Sequence, residues 1–405
     1  HNADGRLFLK TTRQVFDVII VNLPAPQTAQ LNRFYTADFF HEVAERLSVR
    51  GVFAFQLHAA EEYLAPNLSA FLRCIVKSLH EAFPVVRLIP GDIVHFFAAT
   101  QESALAPDSA ELLARLRSRH LQTSYVREYY IPFRMMPDRV ADLEQKLQPQ
   151  PDTPVNYDLA PIAYYFDVAL WSTQFNRKFA VVFESVAQIR FGRLLGCSVL
   201  ALLAIVVLAI LVPHRRSRVG GSVAFCVALA GLTMISLEML LLLGFQVIYG
   251  YVYHQLAVLI ALFMTGMALG AHWRLRRAGG NARTVVLRAG TIRLAALQIL
   301  VAVSPLLLYA VLHVFSRVRN LEALSLVAGF VFPTMALLAG MLGGYEFALA
   351  TDIYFAALPM ARKSFGVLYG VDLIGASLGA LTVSAFLLPL FGFLHTSVFI
   401  AVLSL

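Results

Sequence analysis

Beyond about residue 190 the chain is a series of apolar runs separated by short arginine-bearing loops. A bilayer core takes ~20 apolar residues per helix, and a backbone that crosses it must satisfy its own hydrogen bonds. This half is therefore expected to be an all-α membrane domain, a polytopic bundle of six to seven helices. The runs fall at about 194–213, 222–248, 255–273, 292–315, 323–345 and 365–390, with a partial seventh from about 393. The whole chain of 405 residues is 58% apolar and 14% charged, against about half and about a quarter in soluble domains. The apolar excess sits almost entirely in these runs.

The formal net charge of +8 comes mostly from the loops between them. "HRRSR", "RLRRAGGNARTVVLR" and "ARK" follow the first, third and fifth runs. By the positive-inside rule those loops are cytoplasmic and the N-terminal part faces outward. Arg177, Lys178, Arg190 and Arg193 flank the first run on the other side and argue the reverse, so the side occupied by the N-terminal part stays open. No basic stretch is interleaved with stacking aromatics, which excludes a nucleic-acid surface. Cys74, Cys197 and Cys226 are far apart, so neither a disulfide framework nor a metal site is expected.

Up to about residue 120 the chain alternates strands and helices, the pattern of an α/β fold with a doubly wound sheet. "FDVIIV" reads as a buried strand that runs into Asn22-Leu23-Pro24-Ala25-Pro26. Thr36 is a helix N-cap with Asp38 in the first turn, and this helix is expected to run to about Ser48 and stop at Gly51. "VFAFQL" is the next strand, and a helix covers about 67–81. "VVRLI" and "VHFFAA" form an antiparallel pair across Pro90-Gly91-Asp92. Residues 102–120 read as one amphipathic helix, and 121–190 as an aromatic-rich extension approaching the membrane. This order is the C-terminal half of a doubly wound sheet. With His1 at one end and "TSVFIAVLSL" at the other, the chain reads as an internal piece of a longer protein.

Five blocks, "ADGRLFL", "FDVIIVNLPAP", "LNRFYTADFF", "GVFAFQ" and "AFPVVRLIP", resemble in order the C-terminal half of the polyamine aminopropyltransferases, the spermidine synthase family. "NYDLAPIAYYFDVALW", "ISLEMLLLLGFQVIYGYVYHQ", "FMTGMALGA" and "LYGVDLIGASLGA" resemble the bacterial membrane-fused type. The resemblance implies a methyltransferase-like, Rossmann-like fold. The implied reaction is aminopropyl transfer from decarboxylated S-adenosylmethionine, as co-substrate, to a diamine, with no metal. Asp4 and Gly5 match the adenine-binding pair, although Asp-Gly alone is also a common turn. Gln56 matches a site-lining glutamine. The family's strand-end pattern is Asp-x-x-Asp-Pro. Here Asn22 stands at the catalytic aspartate and Ala25 at the second, substrate-binding one. An amide neither accepts the proton nor holds a dication. The family's tyrosine after the later proline is replaced by Gly91 and Asp92. The resemblance implies that the family's Gly-rich loop and ribose-binding acid belong to a half upstream of these residues.

In the apolar half Glu238 and Asp372 fall inside spans, where acids are costly and usually functional. Asp372, Gly375, Ala376 and Gly379 share one helical face suited to close packing. Both acids either lock the bundle or line a cation path. The expected protein is thus an integral membrane protein, of the bacterial inner membrane by resemblance, with three parts: 1–120, 121–190 and 191–405. Its partners are lipid and a polyamine or diamine, with homo-oligomerisation left open. Its activity is either aminopropyl transfer or non-catalytic binding linked to transport.

Overall fold

The computed structural model describes all residues except 1–3, 61–62, 125, 176–188, 212–214, 251–252, 278–282, 319 and 358–363. The chain divides into two compact units, His1–Glu184 and Ser185–Leu405.

The first unit is built on a four-stranded sheet, β1 (Phe16–Val21), β2 (Leu47–His58), β3 (Val85–Ile89) and β4 (Ile93–Ala99), in the order β1-β2-β4-β3. β1 and β2 are parallel, with Val21 opposite Phe55, while β4 is antiparallel to both neighbours. Helices α1 (Gly5–Thr11), α2 (Ala29–Asn32), α3 (Ala37–Ala44) and α4 (Pro66–His80) join the strands. Strand residues alternate faces. Phe53, Phe55, Leu57 and Phe96 form the core side, where Phe40 stacks on Phe55 and Phe55 on Phe96 with ring centroids 5.8 and 4.6 Å apart. The expected burial of this strand is corrected: the opposite face of β1 is open, with Val18 and Ile20 58% and 69% exposed, because no described helix covers that side.

Two further expectations about this unit are corrected. The helix capped by Thr36 ends at Ala44, and Gly51 lies inside β2 rather than stopping a helix. The β1–β2 register slips between Phe16 and Val18, and a Cβ on Gly51 would come within 3.0 Å of the Ser48 backbone. The glycine therefore serves a strand irregularity, a role that looks like a helix stop in sequence. The single helix over 102–120 is a turn, Glu102–Ala104, followed by α5 (Ser109–Ser118). Pro107 disfavours helix at Ala106, and Asp108 starts α5 afresh by accepting from the Glu111 N–H at 2.8 Å. Beyond it lie α6 (Tyr130–Arg134), α7 (Pro137–Leu147) and α8 (Ile162–Phe175). Leu143, Leu147 and Ala163 join the core of the sheet, so this segment packs as part of the first unit. The end of the expected extension, 176–188, lies outside the described residues.

The second unit is helical: α9 (Phe191–Leu211), α10 (Arg215–Tyr249), α11 (Tyr253–Arg277), α12 (Arg283–Ser316), α13 (Leu321–Leu326), α14 (Phe332–Ala357), α15 (Phe365–Thr382) and α16 (Leu388–Ser404). Among the described residues, six stretches are long and apolar enough to cross a membrane. The fifth is longer than its apolar run suggested. A π turn joins α13 to α14, which continues to Ala357 and so carries Glu346 and Asp352. The expected sixth and partial seventh spans form one stretch, Phe365–Ser404, broken at Gly392, whose φ of 71° lies outside the helical region.

Close packing by glycine organises this unit. α11 and α14 run side by side with Gly266 and Gly270 against the carbonyls of Leu337 and Met341, and Gly340 and Gly344 against those of Phe263 and Met267. Likewise Gly375 and Gly379 of α15 lie on the Ala228 and Leu232 carbonyls of α10, the small-residue face expected around Asp372.

Candidate functional site

In an open α/β sheet, ligands bind beyond the carboxyl ends of the parallel strands. Here that edge carries Asn22 after β1 and Gln56 near the end of β2. The Gln56 amide donates to Asn22 Oδ1 at 3.4 Å, so the structure brings together the two residues expected there. Across β2 and β4, Gln56 stands opposite His95. Burial lowers the His95 pKa from its ordinary value, helped by the charge of Arg134, and keeps the ring neutral near pH 7. This histidine was not legible as a site residue, because only the strand register aligns it with Gln56.

The turn after β1 is held from beneath. The buried Tyr35 hydroxyl lies 3.0 and 2.9 Å from the carbonyl oxygens of Leu23 and Pro24, to which it donates. Burial pushes this hydroxyl well above the usual phenol value, so it remains a donor. Ala25 packs its methyl against the core cluster of the sheet. The position matched to the second aspartate thus faces packing rather than an open site.

Asp4 caps α1 by accepting from the Leu7 N–H at 3.0 Å and pairs with the buried Arg33. Both bonds fall on Oδ1, and Oδ2 has no partner among the described residues. A carboxylate oxygen in that state suits an exocyclic amino donor. Gly5 has open space where a side chain would stand, which permits a flat ring to approach the backbone. Arg33 and Tyr35 are two residues apart, so one short segment supports both Asp4 and the β1 turn.

That segment is itself locked by residues the sequence left unassigned. Arg6 is 5% exposed and uses all five of its donor hydrogens. It forks onto Glu42 at 2.8 and 3.0 Å, forks onto Asp158 at 2.8 and 2.7 Å, and donates to the Arg33 carbonyl at 2.7 Å. Thr36 adds a bond to Asp158 at 2.8 Å. Asn156, fully buried, donates to Asn32 Oδ1 and the Tyr35 carbonyl at 3.0 and 2.9 Å. Asp38 accepts from the Asp158 N–H at 2.8 Å. Its carboxyl is pushed up to about 6, chiefly by desolvation and then by the charge of Asp158. Arg6 and Asp158 lay inside quoted sequence blocks, but their pairing spans 152 residues and leaves no local signal.

Among the described residues no group of three or more His, Cys, Asp or Glu side chains could hold a metal ion. The three cysteines are free thiols. In the helical unit Glu238 is 7% exposed and Asp372 lies beside Gly231. Glu346, 1% exposed, was missed because the fifth apolar run was taken to end one residue before it.

Residues 1–107 match a family model described as the spermine/spermidine synthase domain. A polyamine aminopropyltransferase of Leptospira interrogans is 34% identical over 55 residues, 14% of this chain and 11% of that protein. Polyamine aminopropyltransferase 2 of Bacillus anthracis is 29% identical over 89 residues, 21% of this chain and 25% of that protein. The Bacillus cereus protein of the same name is 29% identical over 89 residues and covered to 24%. The matched stretch spans a quarter or less of the length of these curated relatives.

Proposed function

Since residues 1–107 belong to the spermine/spermidine synthase domain family, we propose that the chain is an integral membrane member of it whose site binds a nucleoside or an amine without ordinary aminopropyl turnover. The observation that carries this reading is the amide pair, Asn22 and Gln56, at the strand edge where the family's resemblance places a carboxylate.

The chemistry sets the requirement. In aminopropyl transfer the amine nitrogen attacks the propyl carbon next to the sulfonium of decarboxylated S-adenosylmethionine. The carbon–sulfur bond breaks, methylthioadenosine leaves, and the nitrogen gives up a proton. At neutral pH a diamine is a dication with no lone pair, so a base must first take that proton. Asn22 accepts hydrogen bonds but no proton, and Ala25 offers neither. Among the described residues of the Asn22–Gln56–His95 row, His95 alone is ionisable, and it stands beyond β2 from Asn22. What supports binding is the open oxygen of Asp4 beside Gly5, braced through Arg33 to the same segment as the β1 turn. The six long apolar stretches support the membrane assignment.

The test uses membranes that contain the full reading frame, incubated with decarboxylated S-adenosylmethionine and putrescine. Methylthioadenosine and spermidine are followed by mass spectrometry, and nucleoside binding by equilibrium dialysis. The expected result is retained binding, weakened by Asp4→Ala, with no spermidine above a protein-free control. Spermidine formation that depends on the protein overturns the reading.

A further inference from the structure

A buried carboxylate with no hydrogen-bond donor is costly unless it is protonated or faces a cation. Glu346 is in that state: it is 1% exposed and neither oxygen has a partner among the described residues. Gln298 of α12 is a buried polar group in the same position, 8% exposed with both amide atoms unpartnered among the described residues.

Helix register places these groups at one level. Gly290 lies against Ile353, and Leu294 shares a cluster with Leu349, Ala350 and Ile353. One turn onward along α12 and one turn back along the antiparallel α14, Gln298 comes level with Glu346. On α10, Val227 shares that cluster with Ala350, and Met234 lies against Gly343. Gly231, between them, is therefore level with Glu346 as well. A Cβ on Gly231 would stand 2.5 Å from the carbonyl and 2.6 Å from Oδ1 of Asp372. The missing side chain is what lets α15 bring this second carboxylate into the same layer, within electrostatic reach of Glu346.

The surrounding titratable groups are acidic or neutral. α10 contributes Cys226 and, about two turns beyond Gly231, Glu238; α15 contributes Asp372. On α14, Asp352 lies beyond and is held by Arg274 of α11 at 2.7 Å, and Tyr354 lies further still. Tyr345 turns its ring to Trp273 of α11. α12 offers Gln298 at this level, and its nearest cation, Arg293, is more than one turn away. On α16, His395 packs against the Phe191 ring. Arg274, 9% exposed, is thus already neutralised.

We propose that Glu346, Asp372 and Gln298 form a cation site inside the helical unit, where Glu346 exchanges its proton for the primary ammonium head of an aliphatic amine. Three acceptor side chains match the three N–H donors of such a head. A divalent metal fits poorly, because no cluster of three or more His, Cys, Asp or Glu side chains exists among the described residues. On binding, the carboxylic proton leaves Glu346 for solvent and the ammonium takes its place, so the charge of the layer is unchanged. The site stands independently of any reading of Asn22 and Asp4.

The test is carbodiimide labelling of the full chain in lipid nanodiscs, with the modified residue located by peptide mass spectrometry. Dicyclohexylcarbodiimide reacts with protonated carboxyls in apolar surroundings. Glu346 should be labelled, more strongly as pH falls. Spermidine or putrescine at ~10 times Kd leaves ~10% of sites free and should cut labelling ~10-fold, while choline at equal ionic strength should not. Asp372→Asn should keep the Glu346 adduct but lose the amine protection, and Glu346→Gln should abolish the adduct. No adduct at Glu346, or an adduct indifferent to amine or equally suppressed by choline, overturns the proposal. Since the readout sits on Glu346, failure here leaves nucleoside binding untouched, and failure there leaves this result untouched.

Discussion

Replacing Asp158 with alanine should unfold the first unit far more readily than its place in a connecting segment suggests. The substitution removes two charged bonds from Arg6, one hydroxyl bond from Thr36 and the counter-charge of a guanidinium that is 95% removed from solvent contact. Breaking a buried ion pair by deleting one partner costs about 3–5 kcal/mol, and an unmatched hydroxyl adds about 1 kcal/mol. Glu42 still holds Arg6 through its other fork, which places the total near the low end, about 3 kcal/mol. With a urea dependence of about 2 kcal/mol per molar, the unfolding midpoint should fall by about 1.5 M. Cys74 supplies the readout: it is fully buried in the core, and burial pushes its thiol up to about 12, so it reacts only when the unit opens. A variant with Cys197 and Cys226 replaced by serine, in detergent, would be treated with a maleimide across a urea series. Arg6→Met completes a double-mutant cycle, in which a coupling of about 1–3 kcal/mol is expected. A midpoint shift under about 0.3 M, or strict additivity of the two substitutions, would refute the argument that this network locks the site.

Asp38→Asn should flatten part of the pH dependence of the same unfolding. The folded carboxyl titrates near 6, above its ordinary value, so the folded state binds the proton more tightly. The parent therefore loses stability as pH rises through the interval up to about 6, whereas the asparagine variant, which keeps an acceptor for the Asp158 N–H, does not. A parent and variant with parallel pH profiles would show that Asp38 is not the group responsible. Gly344→Val should push a side chain into the Met267 carbonyl, cost about 1–3 kcal/mol by overpacking, and lower the thermal midpoint in detergent by a few degrees per kcal/mol. An unchanged midpoint would mean the two helices separate freely. Tyr35→Phe should cost about 1 kcal/mol or less in stability while loosening the β1 turn, seen as faster amide exchange at Leu23 and Ala25. Unaltered exchange would show that the hydroxyl does not hold the turn.

How much of this was legible depends on how local the signal is. The strand before Asn22, the Thr36 cap, the β3–β4 hairpin and the apolar helices all carry short-range patterns, and the structure has each of them. The Asn22–Gln56 contact follows once two parallel strands are recognised, because their carboxyl ends must lie side by side. Gly51 misled because a glycine at a helix stop and one in a strand bulge look alike in sequence. Arg6, Asn156 and Asp158 carry no periodicity, and their partners lie up to 152 residues away. His95 depends on register and Glu346 on how far α14 continues past its most apolar turns, which hydropathy alone does not set.

The glycine contacts between α11 and α14 have a mechanical consequence. Side chains that interdigitate can repack and give an interface two stable settings. Backbones touching at Gly266, Gly270, Gly340 and Gly344 have nothing to rearrange. These two helices form a single stiff strut. Among the described residues, bending within the helical unit is left to the places where the helical ladder already departs from regularity: Pro305 inside α12, the π turns at Val327–Val331 and Val383–Leu387, and the break at Gly392. Glu346 rides on the strut, while Asp372 rides on a helix that leads into the π turn at Val383–Leu387 and the break at Gly392. Flexing at those two joints would therefore change the distance between the two carboxylates.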